Sequence, residues 1–269
     1  MIASVTILYH PSEQMLPNFD TYIRNVDIAI FVDNSESEYN VNLVKRLNEL
    51  GAIYLKQNGN LGIAKGLNIG IEKAKVLGAT AVLTMDQDSR FETSIDEYIK
   101  AFISNPNVAL MAPSYKLITN KKEVSELVNG FVMTSGNIIN ISDFYEVGGF
   151  SSELFIDLVD TDFCHKLLIN HKTIKINKET YLNHSLGTQD TFFGIPFVKH
   201  PPIRNYYFCR NSFMLFKRFP RLKSYLINEN IKRIVKALLK LEFKSIYFIL
   251  KGLCHGLSGK FGKYNEQSN

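Results

Sequence analysis

Two carboxylates one residue apart, Asp86 and Asp88, follow directly on the short apolar run Val82-Leu83-Thr84-Met85. A strand covered on both faces reads as a nearly continuous apolar run, and ligands of open α/β sheets sit beyond the carboxyl ends of such strands. Side chains two positions apart on a strand share a side. The pair therefore offers two hard oxygen donors to Mg²⁺ or Mn²⁺ and, through the cation, to a phosphorylated ligand. Taken alone, the same three residues also read as an ordinary turn after a strand.

A second acidic group lies in Asp157-Leu158-Val159-Asp160-Thr161-Asp162, where a helix begins. Carboxylates in a first helical turn satisfy orphan amides and the helix dipole, a purely structural use for Asp157 and Asp162. Asp160 differs because Leu158 and Val159 flank it, a setting that raises a carboxyl toward the range of a working general base. A lone His184 reads as a structural residue unless the acidic pair shares a metal with it. Arg204 and Arg210, set among Tyr206, Tyr207 and Phe208, offer planar two-point donors to a diphosphate or, alternatively, pack as a helix surface.

Alternating elements must hold these groups. Residues 4–10 read as a buried strand stopped by Pro11, a helical stretch runs through Leu16, Phe19 and Ile23, and 27–32 form a second strand ending at Asp33-Asn34-Ser35. That order implies parallel neighbours joined by crossovers. A helix over 39–50 leads to a strand over 52–56, and a glycine-rich turn at 58–62 opens another helix. In that helix Gly62, Gly66 and Gly70 recur every four residues, so one face allows close approach of backbone to a strand or a ligand. The turn matches neither the dinucleotide nor the Walker pattern. The strand over 79–85 carries Asp86 and Asp88, a helix over 94–103 and a strand over 108–112 follow, and 130–139 read as a strand running into a tight turn. From 222 to 253 the period is helical, with Ile227, Ile231, Ile234, Val235, Leu238 and Leu241 on one stripe and Lys232, Arg233, Lys236 and Lys240 mainly off it.

The 269 residues hold one large α/β domain with an appended segment, and 45% hydrophobic against 21% charged residues argues against disorder. Three widely spaced cysteines support neither a disulfide framework nor a zinc knuckle and suit a reducing compartment. The N-terminus reads as a strand without signal-peptide features, and no stretch has the length of a membrane span. The net charge of +5 is uneven: from Lys199 onward 15 Lys and Arg face three Glu, so the basic excess is all C-terminal. Such asymmetry suits an anionic partner, and the apolar stripe beside it favours a membrane surface over nucleic acid.

In order and spacing, Val32-Asp33-Asn34-Ser35, Asn58 through Gly70, Met85-Asp86-Gln87-Asp88-Ser89, Ser135-Gly136, Gly148-Gly149-Phe150, Asp160-Thr161-Asp162 with Lys166, His184 through Gly187, and Arg210-Asn211 resemble a family 2 glycosyltransferase of the inverting GT-A type, most of all the bacterial rhamnosyltransferases. The resemblance runs from about residue 4 to 218. It implies a Rossmann-like, mostly parallel sheet flanked by helices, with a nucleotide-sugar half over 1–115, an acceptor half over 116–218 and a C-terminal basic helical segment over 219–269. It implies a nucleoside diphosphate sugar donor held by Asp33, Asn60, Lys65, Asn68, Asp86, Gln87 and Arg210. A divalent cation, Mn²⁺ or Mg²⁺, would sit on Asp88 and His184. The acceptor, a glycan or an undecaprenyl-linked glycan, would meet Ser135, Gly136 and Asp162, and Asp160 would take its proton. The form Asp86-Gln87-Asp88-Ser89 suggests dTDP-rhamnose, with a uridine diphosphate hexose as the alternative. The expected place is the cytoplasm, peripheral on the inner face of the cell membrane. Two positions depart from the family pattern: Val159 stands where an acidic residue is common, and Lys166 where an arginine is.

Two other enzyme-like or binding readings compete. A sugar-phosphate nucleotidyltransferase needs a glycine-rich N-terminal turn with Arg and Lys, and here the first strand ends in Tyr9-His10-Pro11-Ser12. A non-catalytic sugar- or lipid-binding subunit would have no need of Asp86, Asp88, Asp160 and His184 together.

Overall fold

A computed structural model describes residues 1–265 apart from 39, 118–121, 125, 128, 185–187, 193–194 and 200. The strands are β1 (Ile2–Leu8), β2 (Ile28–Asp33), β3 (Ile53–Lys56), β4 (Ala81–Asp86), β5 (Ser89–Phe91), β6 (Val108–Leu117), β7 (Lys122–Val124), β8 (Asn137–Asn140), β9 (Thr173–His184), β10 (Thr188–Phe192) and β11 (Ile195–Lys199). The helices are α1 (Leu16–Phe19), α2 (Val41–Glu49), α3 (Ile63–Val76), α4 (Asp96–Ile103), α5 (Ile141–Glu146), α6 (Val159–Ile169), α7 (Pro202–Arg218), α8 (Lys223–Leu239) and α9 (Phe243–Leu257).

One sheet runs in the order β3-β2-β1-β4-β8-β6-β9-β5, with β7 on β6. Its first four strands are parallel, and β8 runs antiparallel to both β4 and β6. β1 is buried along its whole length, as a central strand covered on both faces must be. The register sets Leu8 beside Asp33 and Ile7 beside Asp86, so the carboxyl ends of β1, β2 and β4 share one edge.

The glycine stripe of α3 serves contact with this sheet. A Cβ at Gly70 would lie 2.3 Å from Val5 Cγ1, and one at Gly66 3.1 Å from Ile7 Cδ1. Only a bare backbone lets the helix come that near.

The structure differs from the sequence pattern in three places. The strand read over 130–139 is confined to β8, after the Ser135-Gly136 turn, because Gly136 takes φ +85° and its N–H donates to Thr84 O at 2.6 Å. The C-terminal helical stretch breaks into α8 and α9 at Leu241, which is left-handed at φ +52°. The hairpin β10–β11 carries no periodic signal that the sequence reading used. The helices after residue 218 pack on α7: a Cβ at Gly252 of α9 would lie 2.5 Å from Tyr206 O.

Candidate active site

Beyond the carboxyl end of β4 lies a cleft of about 270 Å³, lined by Asp86, Asp157, Asp160, Thr161, Arg204, Phe208, Tyr225 and Arg233 among others. Asp86 is the last residue of β4 and is half-buried. Asp88 stands exposed in the turn to β5. Ser135 supports this end from behind, its Oγ accepting the Asp86 N–H at 3.0 Å. Backbone pairing places residue 184 opposite Ser89, next to the acidic pair. The His184 side chain, and Ser185 through Gly187, lie outside the described residues.

The opposite wall is a turn held in an unusual conformation. Phe155, Asp157 and Leu158 all have φ between +62° and +65°, a region that side-chain-bearing residues seldom occupy. Phe155 (φ +65°, ψ −66°) is the centre of a γ-turn closed by Ile156 N–H to Leu154 O at 2.8 Å. Such conformations persist where their surroundings over-determine them. Here Asn211 Nδ2 lies 3.0, 2.8 and 2.8 Å from the carbonyl oxygens of Leu154, Ile156 and Asp157. The Ile63 N–H at the start of α3 donates to Phe155 O at 2.8 Å, where Gly62 leaves room.

The turn delivers Asp160 into the first turn of α6 and onto the cleft. Burial pushes its carboxyl up to about 6, with Asp157 adding to the rise against the opposing Thr161 N–H, which donates to Asp160 Oδ1 at 2.7 Å. A carboxylate poised near neutrality is suited to taking a proton. Beside it, Arg204 grips Asp157 at two points, Nε to Oδ2 at 2.7 Å and Nη2 to Oδ1 at 2.6 Å. The charges of Asp160 and Asp86 also reach it.

Several residues expected at the ligand are committed elsewhere. Arg210 is 1% exposed, and its guanidinium donates to the carbonyls of Glu153, Leu154 and Gly262 and to Asn211 Oδ1. It braces the turn from inside, and the arginines that line the cleft are Arg204 and Arg233. Asp162 is fully buried against Ser151, Lys166 and Arg218, so it is a structural counter-ion and not a contact for the acceptor. Asp33 is buried too: Ser35 donates its N–H and hydroxyl, Tyr54 its hydroxyl, and Lys56 Nζ lies 3.4 Å away. Burial alone would raise the Asp33 carboxyl, but these donors together hold it below the usual carboxylate range.

Asn68 clips α3 to the loop after α5, donating to Phe150 O and accepting its N–H. Gln87 pairs its side-chain amide with the backbone of Tyr9. Asn60 accepts the Gly62 N–H within its own turn. Lys65 is exposed over a separate groove with Glu72 and Tyr145. Gly136 is consumed in the β4–β8 junction, its carbonyl accepting from Tyr98.

The sequence reading missed Tyr225 and Arg233 as lining residues. Their only sequence signal was that Arg233 lies two positions from both Ile231 and Val235, about 200° around a helix from the apolar stripe.

No protein-family model matches the chain. By sequence it is 28% identical, over 297 aligned positions covering 98% of each chain, to the dTDP-rhamnosyl transferase RfbF of Shigella flexneri. By structure it resembles TarS of S. aureus, with a TM-score of 0.56 at 13% identity over 80% of this chain and 39% of that one. It also resembles GalNAc-T7 solved with UDP, GalNAc and Mn²⁺, with a TM-score of 0.60 at 12% identity over 82% of this chain and 52% of that one. The chain thus spans well under two thirds of either solved neighbour. Sheet order, cleft and these likenesses define a glycosyltransferase of the GT-A fold. Within that class its sequence is similar to that of a rhamnosyl transferase.

Proposed function

We propose that the chain is an inverting rhamnosyltransferase that moves L-rhamnose from dTDP-rhamnose to a hydroxyl of a glycan or lipid-linked glycan in bacterial surface polysaccharide synthesis. The near full-length likeness to a dTDP-rhamnosyl transferase supports the donor. The observation that carries the chemistry is Asp160, raised to about 6 and placed in one cleft with Asp86 and Arg204.

Asp160 accepts the proton of the acceptor hydroxyl as that oxygen attacks the anomeric carbon. The bond to the diphosphate breaks on the opposite face, the nucleoside diphosphate departs with the bonding pair, and the anomeric configuration inverts. Arg204 offers positive charge near the departing group. Asp157 fixes its orientation.

Asp86 and Asp88 form an oxygen donor set that suits Mn²⁺ or Mg²⁺. Among the described residues no three His, Cys, Asp or Glu side chains form a metal cage; a divalent cation can be held by one or two carboxylates together with substrate phosphates. Asp88 would hold it, with position 184 adjacent, and when bound it neutralises charge on the diphosphate.

Among the described residues no helix is long and apolar enough to cross a membrane. Ile231, Val235 and Leu238 are 47–52% exposed on α8, beside Lys232 and Lys236. An apolar stripe edged by lysines suits peripheral attachment to an anionic membrane surface on the cytoplasmic side.

A panel of nucleotide sugars incubated with protein and Mn²⁺, read by release of nucleoside diphosphate, tests the proposal. dTDP-rhamnose should be turned over fastest, and Asp88→Ala should abolish release. Equal turnover of a uridine diphosphate hexose would overturn the donor, and full activity of Asp88→Ala would overturn the metal site.

A further inference from the structure

The cleft contains two arginines in different states. Arg204 has its fork closed by Asp157. Arg233 does not. Its guanidinium lies over the Phe208 ring, with Cζ 3.8 Å from the centroid, and Nη1 donates to Asn205 Oδ1 at 3.1 Å. Nε is buried without a hydrogen-bond partner, and no ion pair to a carboxylate forms among the described residues. Buried polar donors in native proteins are nearly always satisfied, and an exception calls for an explanation. The edge left over, Nε with Nη2, is the edge that binds a phosphate or carboxylate at two points.

Arg233 occupies the Asp160 side of the cleft. Tyr225, on the same helix α8, is close enough to feel the charges of both Asp160 and Arg233, and Arg204 feels those of both Asp160 and Asp86, so Asp160 stands between the two arginines. With the donor diphosphate at the Asp86 end, an anion at Arg233 belongs to the acceptor, beside the hydroxyl that Asp160 deprotonates.

We infer that Arg233 is the anchor of a phosphate-binding subsite for the acceptor, so that the acceptor sugar carries a phosphate ester close to its attacking hydroxyl. This rests on the reading of the cleft as a transfer site with Asp160 as base. A phosphate, with its greater charge and three oxygens, answers a buried guanidinium edge better than a sugar hydroxyl does. Two sources share that chemistry: the phosphate that joins a glycan to its lipid, and a phosphate within the glycan itself. α8 turns an exposed apolar stripe to the opposite side from Arg233, an arrangement suited to the lipid source.

Calorimetric titration of the full chain, with Mn²⁺ and dTDP present and UDP in parallel, tests this. The probes are N-acetylglucosamine 1-phosphate, geranyl phosphate, and the phosphate-free N-acetylglucosamine and geraniol. The wild type should bind at least one phosphate probe tenfold or more tightly than its phosphate-free counterpart. Arg233→Gln should erase that preference while leaving dTDP affinity within twofold, and Arg233→Lys should keep part of it. A preference for geranyl phosphate marks the lipid source, and one for the sugar phosphate alone marks the glycan source. Absence of any phosphate preference in the wild type, which needs no variant, would overturn the subsite, as would loss of dTDP affinity in Arg233→Gln with the probes unaffected. Failure of the wider reading shows separately, as a wild type that binds neither dTDP nor UDP.

Discussion

Arg204 and Asp157 lock each other at two points, Nε to Oδ2 and Nη2 to Oδ1, at the rim of the cleft that contains Asp160. The pair joins the first turn of α7 to a residue in left-handed conformation. It therefore sets both the charge and the shape of the wall.

Breaking it tests that double role. Arg204→Ala should lower transfer about 100-fold, the scale of losing one aimed charge-stabilising group. It should also lower stability by about 1–3 kcal/mol, less than for a fully buried pair because both partners retain some exposure. Urea unfolding combined with initial rates separates the effects; unchanged kcat and unchanged stability would remove Arg204 from the site.

Asp160 predicts a pH signature. The rate should rise with pH and level off above a midpoint near 6, where the carboxyl becomes able to accept a proton. Asp160→Asn should abolish transfer across the range. A flat wild-type profile between pH 5 and 8 would exclude Asp160 as the base.

The same group carries a stability effect with a definite sign. Its folded value lies above the usual 3.8, so the folded state binds the proton more tightly, and the resulting stability is full below about pH 4 and lost as pH rises through about 6. A neutral amide avoids that loss. Asp160→Asn should therefore be more stable than the wild type at pH 7.5, by on the order of 1–3 kcal/mol, and the difference should vanish near pH 3.5. Equal melting temperatures at pH 7.5 would contradict it.

Arg210 predicts the opposite pattern from Arg204. Arg210→Lys leaves several buried carbonyls short of donors, each worth about 1–3 kcal/mol, so melting temperature should drop sharply. Donor affinity of the folded protein should change less than in Arg204→Ala, and a reversed ranking would restore Arg210 to the diphosphate.

Gly62→Ala combines a left-handed backbone, φ +83°, with a Cβ 2.5 Å from Phe155 O. The substitution should cost at least about 2 kcal/mol and reduce kcat through displacement of the 155–158 turn. Wild-type kcat would show that the turn does not position the chemistry.

Much of the scaffold was legible because periodicity reports burial directly. Strands β1, β2 and β4 and the four-residue glycine spacing of α3 all follow from runs that only a covered sheet and a close helix would need. The raised carboxyl of Asp160 was legible in its apolar flanks, since Leu158 and Val159 line the same cleft and burial is the main cause of the rise. Arg210 and Asp162 were not, because chain proximity to aromatics or to a helix start does not say which way a side chain faces across α7 or α6. Tyr225 and Arg233 were harder still. They come from a helix whose sequence advertises its outer stripe, and the inner face becomes visible only when α8 is folded against α7.

The Gly262 backbone is joined to the active-site turn on both sides, its N–H donating to Glu153 O and its carbonyl accepting from Arg210. During synthesis the parallel strands β1 to β4 can assemble long before residue 262 exists, since the pairings among these four strands lie within the first 86 residues. The turn that presents Asp157 and Asp160 lacks two of its braces until then. A nascent chain could therefore fold its nucleotide-side strands early while its transfer site stays unset, with competence arriving only as the last stretch of the described chain closes behind the turn.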